Sequence, residues 1–122
     1  MDKKTGHCDQ ISAQIVETPG ASRAKMRVLI GPDDGAPGFA MRLFELEPGG
    51  CTPSHEHDWE HEMFFLQGGG TVVVDSEEIP MRPGCFAFVP PNVPHQVKNT
   101  GFITLKFLCL IPVSRPCGCP VR

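Results

Sequence analysis

The stretch Met63-Phe64-Phe65-Leu66-Gln67-Gly68-Gly69-Gly70-Thr71-Val72-Val73-Val74-Asp75 decides the architecture, because two apolar, β-branched runs of strand length meet at three consecutive glycines. Val, Thr and Phe favour a pleated backbone, and a glycine cluster between two such runs marks a turn. The same alternation of short run and turn extends in both directions. Upstream lie Met26–Ile30, the turn Gly31-Pro32-Asp33-Asp34-Gly35, Phe39–Glu47 and Pro48-Gly49-Gly50. Downstream lie Cys85–Val89, Pro90-Pro91-Asn92, His95–Lys98 and Ile103–Ile111. About eight or nine short strands at this spacing predict an all-β antiparallel sandwich or barrel. The 13 Gly and 13 Pro among 122 residues break the chain too often for a long helix or a coiled coil.

A chain of 122 residues makes one domain, with a core drawn from its 40% apolar residues. The net charge of -3 and the scattering of the 11 basic residues leave no electrostatic footprint for nucleic acid. No apolar run approaches the roughly 18–20 residues of a membrane span, and Met1–His7 lacks the apolar stretch of a signal peptide. A cytoplasmic protein is therefore expected, and its six cysteines are expected as free thiols rather than as a disulfide framework. Residues 1–23 read as a loose N-terminal arm with at most one edge strand, around Ile15-Val16, and nothing catalytic is expected there. Residues 24–112 form the barrel. Residues 113–122 read as a flexible tail, too short and Pro-rich to pack, whose Cys117-Gly118-Cys119 has the option of gripping a metal or oxidising.

Residues two apart on a strand share a face, which assigns the inward side chains. In Phe39–Glu47 the carboxylates of Glu45 and Glu47 face water, so Arg42, Phe44 and Leu46 point inward and a buried arginine is predicted. In Ile103–Ile111, Thr104 and Lys106 face out, while Leu105, Phe107, Cys109 and Ile111 face in.

Four of the five histidines carry the main chemical signal. His55, His57 and His61 are spaced by two and four, which on an extended strand puts all three imidazoles on one face, and His95 follows a proline turn from which it can close the set around a cation. Trp59 shares that face by the same parity. Glu62 falls on the opposite face and is expected in solvent or behind the ligands.

The run Gly49-Gly50-Cys51-Thr52-Pro53-Ser54-His55-Glu56-His57-Asp58-Trp59-Glu60-His61-Glu62, ending in Gly68-Gly69, resembles the first motif of the cupin superfamily. The run Gly84–Asn99, with Pro90-Pro91-Asn92-Val93-Pro94-His95 at its centre, resembles the second. The closest similarity is to small single-domain cupins with four histidine ligands, because His61 stands where the usual first motif has glutamate. The resemblance covers roughly residues 24–112. It implies a double-stranded β-helix, the jelly-roll barrel, with one metal in its mouth held by His55, His57, His61 and His95. Manganese is the metal that the resemblance favours, while nitrogen ligands also accept Fe, Zn, Ni or Cu. Asn92 replaces the motif's usual glycine, a mild departure because Asn tolerates left-handed backbone.

Four neutral imidazoles leave the ion's charge uncompensated and, in octahedral geometry, two positions open for substrate, water or dioxygen. Arg42 and Cys109 are the candidate catalytic residues, with Trp59, Phe107 and Ile111 as pocket wall. The chain contains no Tyr, so the resembling epimerases and lyases that use a tyrosine acid or base are poor matches. The expected function is a metal-dependent, dioxygenase-like oxidoreductase acting on a small organic substrate. The competing expectation is a non-catalytic metal-binding, metabolite-binding or redox-sensing module. Exposed sheet edges make a homodimer the expected assembly, with the N-terminal arm crossing as an added strand.

Overall fold

A computed structural model describes residues 2–115 and 117–121. Nine antiparallel strands follow one another: β1 (Gln14–Ile15), β2 (Ser22–Ile30), β3 (Phe39–Cys51), β4 (His61–Gln67), β5 (Gly70–Val74), β6 (Glu77–Met81), β7 (Phe86–Val89), β8 (His95–Lys98) and β9 (Leu105–Pro112). Short 3-10 turns at Cys8–Gln10 and Pro32–Asp34 are the helical elements among the described residues. The strand order is β6-β5-β8-β3-β9-β4-β7, with β2 beside β3 and β1 beside β2. This is a nearly closed antiparallel barrel of the jelly-roll kind.

The expected strands are present, with informative differences at their ends. The glycine run after Gln67 divides between a turn and the start of β5, where Gly68 has φ +81° and lies so close to Thr104 that a Cβ would come within 2.7 Å of its carbonyl oxygen. Pro48-Gly49-Gly50, expected as a turn, lies inside β3. Gly49 (φ +82°) and Gly50, whose Cβ would meet the Ser22 and Arg23 carbonyls at 2.8 and 2.9 Å, let the strand continue past an irregularity in its pairing with β2. Strand β6 had no expectation, since Glu77-Glu78 and Pro80 mask it. It forms on the tight turn at Asp75 (φ 49°) and Ser76 (φ 70°), and the proline is tolerated because β6 is an edge. Strand β9 begins at Leu105 rather than Ile103, which is exposed.

Alternation along β9 gives buried Leu105, Phe107, Cys109 and Ile111, as expected, and β3 buries Phe44 and Leu46. With Phe65, Val72, Val89 and Val97 they fill the barrel, each fully buried large side chain contributing about 1.5–3 kcal/mol. The buried polar Asn99 is satisfied: its side-chain amide donates to the carbonyls of Leu46 and Ile103, and its Oδ1 accepts from Gly101.

Both termini are tied to the barrel, the arm through the edge strand expected around Ile15-Val16 and the tail through contacts of Arg115 and Val121. In the arm, β1 pairs in register with β2 of the same chain (Gln14 opposite Met26), and Val16 donates to Ala24 and packs on the core. In the tail, Val121 is buried and donates to Val113. Arg115 pairs with Asp58 at 3.0 Å, caps the Pro120 carbonyl and lies over the Trp59 ring. Cys117 and Cys119 are paired with each other, whereas Cys8, Cys51, Cys85 and Cys109 are free thiols.

Candidate metal centre

The four histidines reach one end of the barrel by different routes, not along one strand. His55 and His95 form an antiparallel bridge, each donating its amide to the other's carbonyl at 3.1 and 2.9 Å. This fixes the first and second histidine segments against each other. His57 sits in the loop between β3 and β4, and its carbonyl is held by the amide of Asn92, which adopts the left-handed backbone (φ 64°) that glycine would supply. His61 opens β4. The loop bends at Asp58 and Trp59, where the indole stacks on His57 with centroids 4.1 Å apart. Strand parity is therefore not what brings these imidazoles to one end of the barrel.

Ligating nitrogens of His55, His57 and His95 lie within 4.8 Å of one another, and the Nε2 atoms of His55 and His57 are 3.1 Å apart. His95 Nδ1 lies 2.9 Å from the Val93 carbonyl. Donation to that carbonyl puts the proton on Nδ1 and leaves Nε2 free as a ligand. His61 stands beside the triad, its ring 4.6 Å from that of His95. Its Nδ1 contacts Cys109 Sγ at 3.3 Å, and its buried Nε2 has no partner among the described residues. Burial, then the neighbouring His95, lowers the pKa of His55. Burial, then His55, brings His57 to about 4. Burial, then His95, brings His61 to about 2. All three are thus neutral near pH 7, the form that binds a metal. The donor set fits a divalent transition ion, with His55, His57 and His95 as the assembled triad.

A cavity of ≈ 430 Å³ opens onto the imidazoles, lined by apolar Phe44, Trp59, Met63, Phe107 and Ile111 and by Arg42 and Cys109. Arg42 is half-buried rather than fully buried. Its Nη2 donates to Cys109 Sγ at 3.1 Å, and its guanidinium lies 5.0 Å from the Phe44 ring centre. Its buried Nε is unpartnered, and among the described residues no carboxylate pairs with it. The indole Nε1 of Trp59 is likewise buried without a partner. Burial raises the Cys109 thiol's pKa, and the Arg42 charge opposes that rise. Glu62 is exposed, on the face opposite His61 and Met63, as alternation requires.

The arm supplies what sequence reasoning missed. Gln14, Ile15, Val16, Glu17 and Thr18 all line this cavity, and Glu17 is the one carboxylate among its lining residues. The edge strand was expected around Ile15-Val16, but its place on the cavity wall follows from its pairing with β2, which the arm's own sequence does not encode. A second cluster, His7, Cys8 and Asp9, is also close enough to offer metal ligands, but His7 Nδ1 accepts the Asp9 amide as a local cap. Among the described residues, no helix is long and apolar enough to cross a membrane.

Residues 42–111 match the family model of the cupin domain. The polyketide cyclase RemF from Streptomyces resistomycificus is 35% identical, with a TM-score of 0.87, over 99% of this chain and 87% of that one. An oxalate-binding protein from Thermotoga maritima is 32% identical over 74 residues, 57% of this chain and 61% of that protein. Auxin-binding protein 1 from Arabidopsis thaliana is 36% identical over 83 residues, 61% of this chain and 41% of that protein. The aligned regions span only about half the length of the curated relatives that the chain matches. With its barrel, its two histidine segments and a family match over more than half its length, the chain belongs to the cupin family.

Proposed function

We propose that this cupin is a metal-assisted cyclase, which holds a 1,3-dicarbonyl unit of a small polycarbonyl substrate as an enolate and directs carbon–carbon bond formation inside its cavity. The observation that carries the reading is Arg42, a guanidinium on the cavity wall beside the imidazole cluster with no carboxylate partner among the described residues. A cation so placed favours an anionic oxygen on the ligand. The identity with a polyketide cyclase over nearly the whole chain supports the same reading.

Under it, His55, His57, His61 and His95 hold one divalent ion, manganese or iron first, with zinc, nickel and copper compatible. His61 would join the triad when its Nδ1–H donates to Cys109 Sγ, because that tautomer leaves Nε2 unprotonated and able to bind a metal; Cys109 is then a positioning residue. The bound ion supplies Lewis acidity toward carbonyl oxygens. Arg42 neutralises charge that develops on the enolate oxygen. Glu17 accepts a proton from the carbon between two carbonyls; the freed electron pair attacks a second carbonyl carbon, and the resulting alkoxide takes the proton back from Glu17. The product is an isomer of the substrate, with no change in oxidation level. Trp59, Phe44, Phe107 and Ile111 keep water out and hold the substrate folded.

Two other readings use the same site. The all-imidazole donor set also suits the dioxygenase-like reaction expected from the sequence, and the oxalate-binding relative favours a metabolite-binding role without turnover. One experiment separates them: incubation of metal-loaded protein with a synthetic aryl tri-β-ketone in air, followed by mass spectrometry and an oxygen electrode. The expected result is a product of unchanged mass without oxygen uptake, formed about 10²–10⁴-fold more slowly in Glu17→Gln. Oxygen uptake matching substrate loss would overturn cyclisation in favour of an oxygenase, and saturable binding without product would leave the non-catalytic role.

A further inference from the structure

We propose that Arg115 is a positioning residue for the metal centre: from the C-terminal segment it fixes Asp58 and Trp59, the two residues after His57, and through the indole holds the His57 ring in its ligating orientation. The inference rests on the histidine centre proposed above and adds to it a part that lies outside the barrel strands. Arg115 Nε donates to Asp58 Oδ1 at 3.0 Å, and its guanidinium carbon lies 4.8 Å from the centre of the Trp59 ring. Trp59 in turn stacks on His57, with the ring planes 7° apart. One guanidinium thus grips two consecutive residues of the loop that carries a ligand.

His57 needs such a restraint more than its neighbours do. A metal-binding imidazole is normally oriented by a hydrogen bond to its other ring nitrogen. His95 has that bond, from Nδ1 to the Val93 carbonyl, and His61 has its Nδ1 contact with Cys109. His55 is held through its backbone bridge to His95. Among the described residues His57 has neither: its ring meets a hydrogen-bonding group only at Nε2, opposite His55 Nε2, and its backbone lies outside every strand. Asn92 holds its carbonyl, which leaves the side-chain torsions free. The indole face supplies the missing restraint, and a ring already immobilised loses less rotamer freedom when it binds an ion.

The indole nitrogen has no partner among the described residues, so packing alone sets the plane of Trp59, and Arg115 provides that packing from an anchored loop. Arg115 Nη1 donates to the Pro120 carbonyl at 2.7 Å, its amide donates to the Cys119 carbonyl, and its own carbonyl accepts from Gly118. Cys117 and Cys119 are joined across the turn, and Val121 is buried and donates to Val113. The sign of the effect separates positioning from charge. A guanidinium that acted only through its charge would repel a divalent cation, and its removal would also free the Asp58 carboxylate, so both changes would tighten metal binding. Positioning requires the opposite: loss of Arg115 weakens it.

Titration of metal-free protein with Co²⁺, read by the cobalt absorption bands and by quenching of Trp59, the single tryptophan, tests the proposal. The proteins are the wild type, Arg115→Ala, Arg115→Lys and, as a control, Lys4→Ala, which removes the surface ion pair with Asp34. The expected result is a Kd raised about tenfold in Arg115→Ala, with altered cobalt bands. A smaller rise is expected in Arg115→Lys, whose ammonium keeps the Asp58 pair without the planar face, and none in Lys4→Ala. In a Trp59→Leu background, read by the cobalt bands alone, Arg115→Ala is expected to change Kd by no more than about twofold, because the group it acts through is gone. A tighter or unchanged Kd in Arg115→Ala overturns the proposal and leaves the centre standing, as does a full tenfold loss in the Trp59→Leu background. A lower melting temperature with the wild-type Kd and cobalt spectrum makes Arg115 a stability residue only and overturns it too. A wild type that binds no cobalt overturns the centre and the proposal together. If Arg115→Ala fails to fold, Arg115→Lys decides, and a Kd and spectrum identical to the wild type contradict the proposal.

Discussion

Trp59, Arg42 and His61 each bury a polar nitrogen that finds no partner among the described residues, and all three line one cavity. An unsatisfied buried donor or acceptor costs about 1–3 kcal/mol, so three in one place mark a site that a ligand or an ion completes. The imidazoles add a pH signature. Unfolded histidine titrates near 6.5, whereas folded His57 titrates at about 4 because burial and His55 disfavour its charge. Between those values the unfolded chain binds protons that the folded chain refuses, so folding stability is full above pH 6.5 and falls as the pH drops toward 4. Thermal melts of metal-free protein are expected to lose stability across that window, with a shallower loss in His57→Gln. Identical pH profiles for the two proteins would contradict the assignment of His57 as a half-buried neutral imidazole.

Elements, rather than parity along one strand, assemble the centre. The spacing of His55, His57 and His61 singled out imidazoles that come to one end of the barrel, yet the group within ligand distance is His55, His57 and His95, only His61 of the spaced three lies in a regular strand, and the convergence depends on the His55–His95 bridge and on Asn92 holding the His57 carbonyl. Inward faces of β3 and β9 were legible because their polar residues alternate with apolar ones. Phe86 and Phe88 of β7, with Phe64 and Leu66 of β4, were not, because a strand apolar on both sides gives no sign of which side meets water. The C-terminal segment was illegible for another reason: its order rests on Arg115, which ties Asp58 to the Pro120 carbonyl while covering Trp59, a contact no local pattern encodes. Arg115→Ala is expected to cost about 0.5–1 kcal/mol from the cation–π contact and to shift the emission of the single tryptophan to the red. Unchanged emission and melting temperature would remove the segment from any role at the site.

At the scale of the whole molecule, a jelly-roll barrel seals one end with a hydrophobic core and leaves the other open beside the histidines, with the arm as part of the wall. The fold came through the sequence because strand-length runs and turn residues recur throughout. The mouth came through only in part, since Glu17 reaches the cavity by a short pairing that leaves no periodic trace. The barrel does not depend on the imidazoles for its core, so removing one should leave a folded protein with a disabled centre. Elemental analysis of metal-loaded, desalted wild-type protein beside His57→Ala is therefore the most direct test. About one divalent transition ion per chain in the wild type, and a large loss in a variant with unchanged circular dichroism, is the expected result. No bound ion in the wild type after loading, or full retention in His57→Ala, would contradict a histidine metal centre.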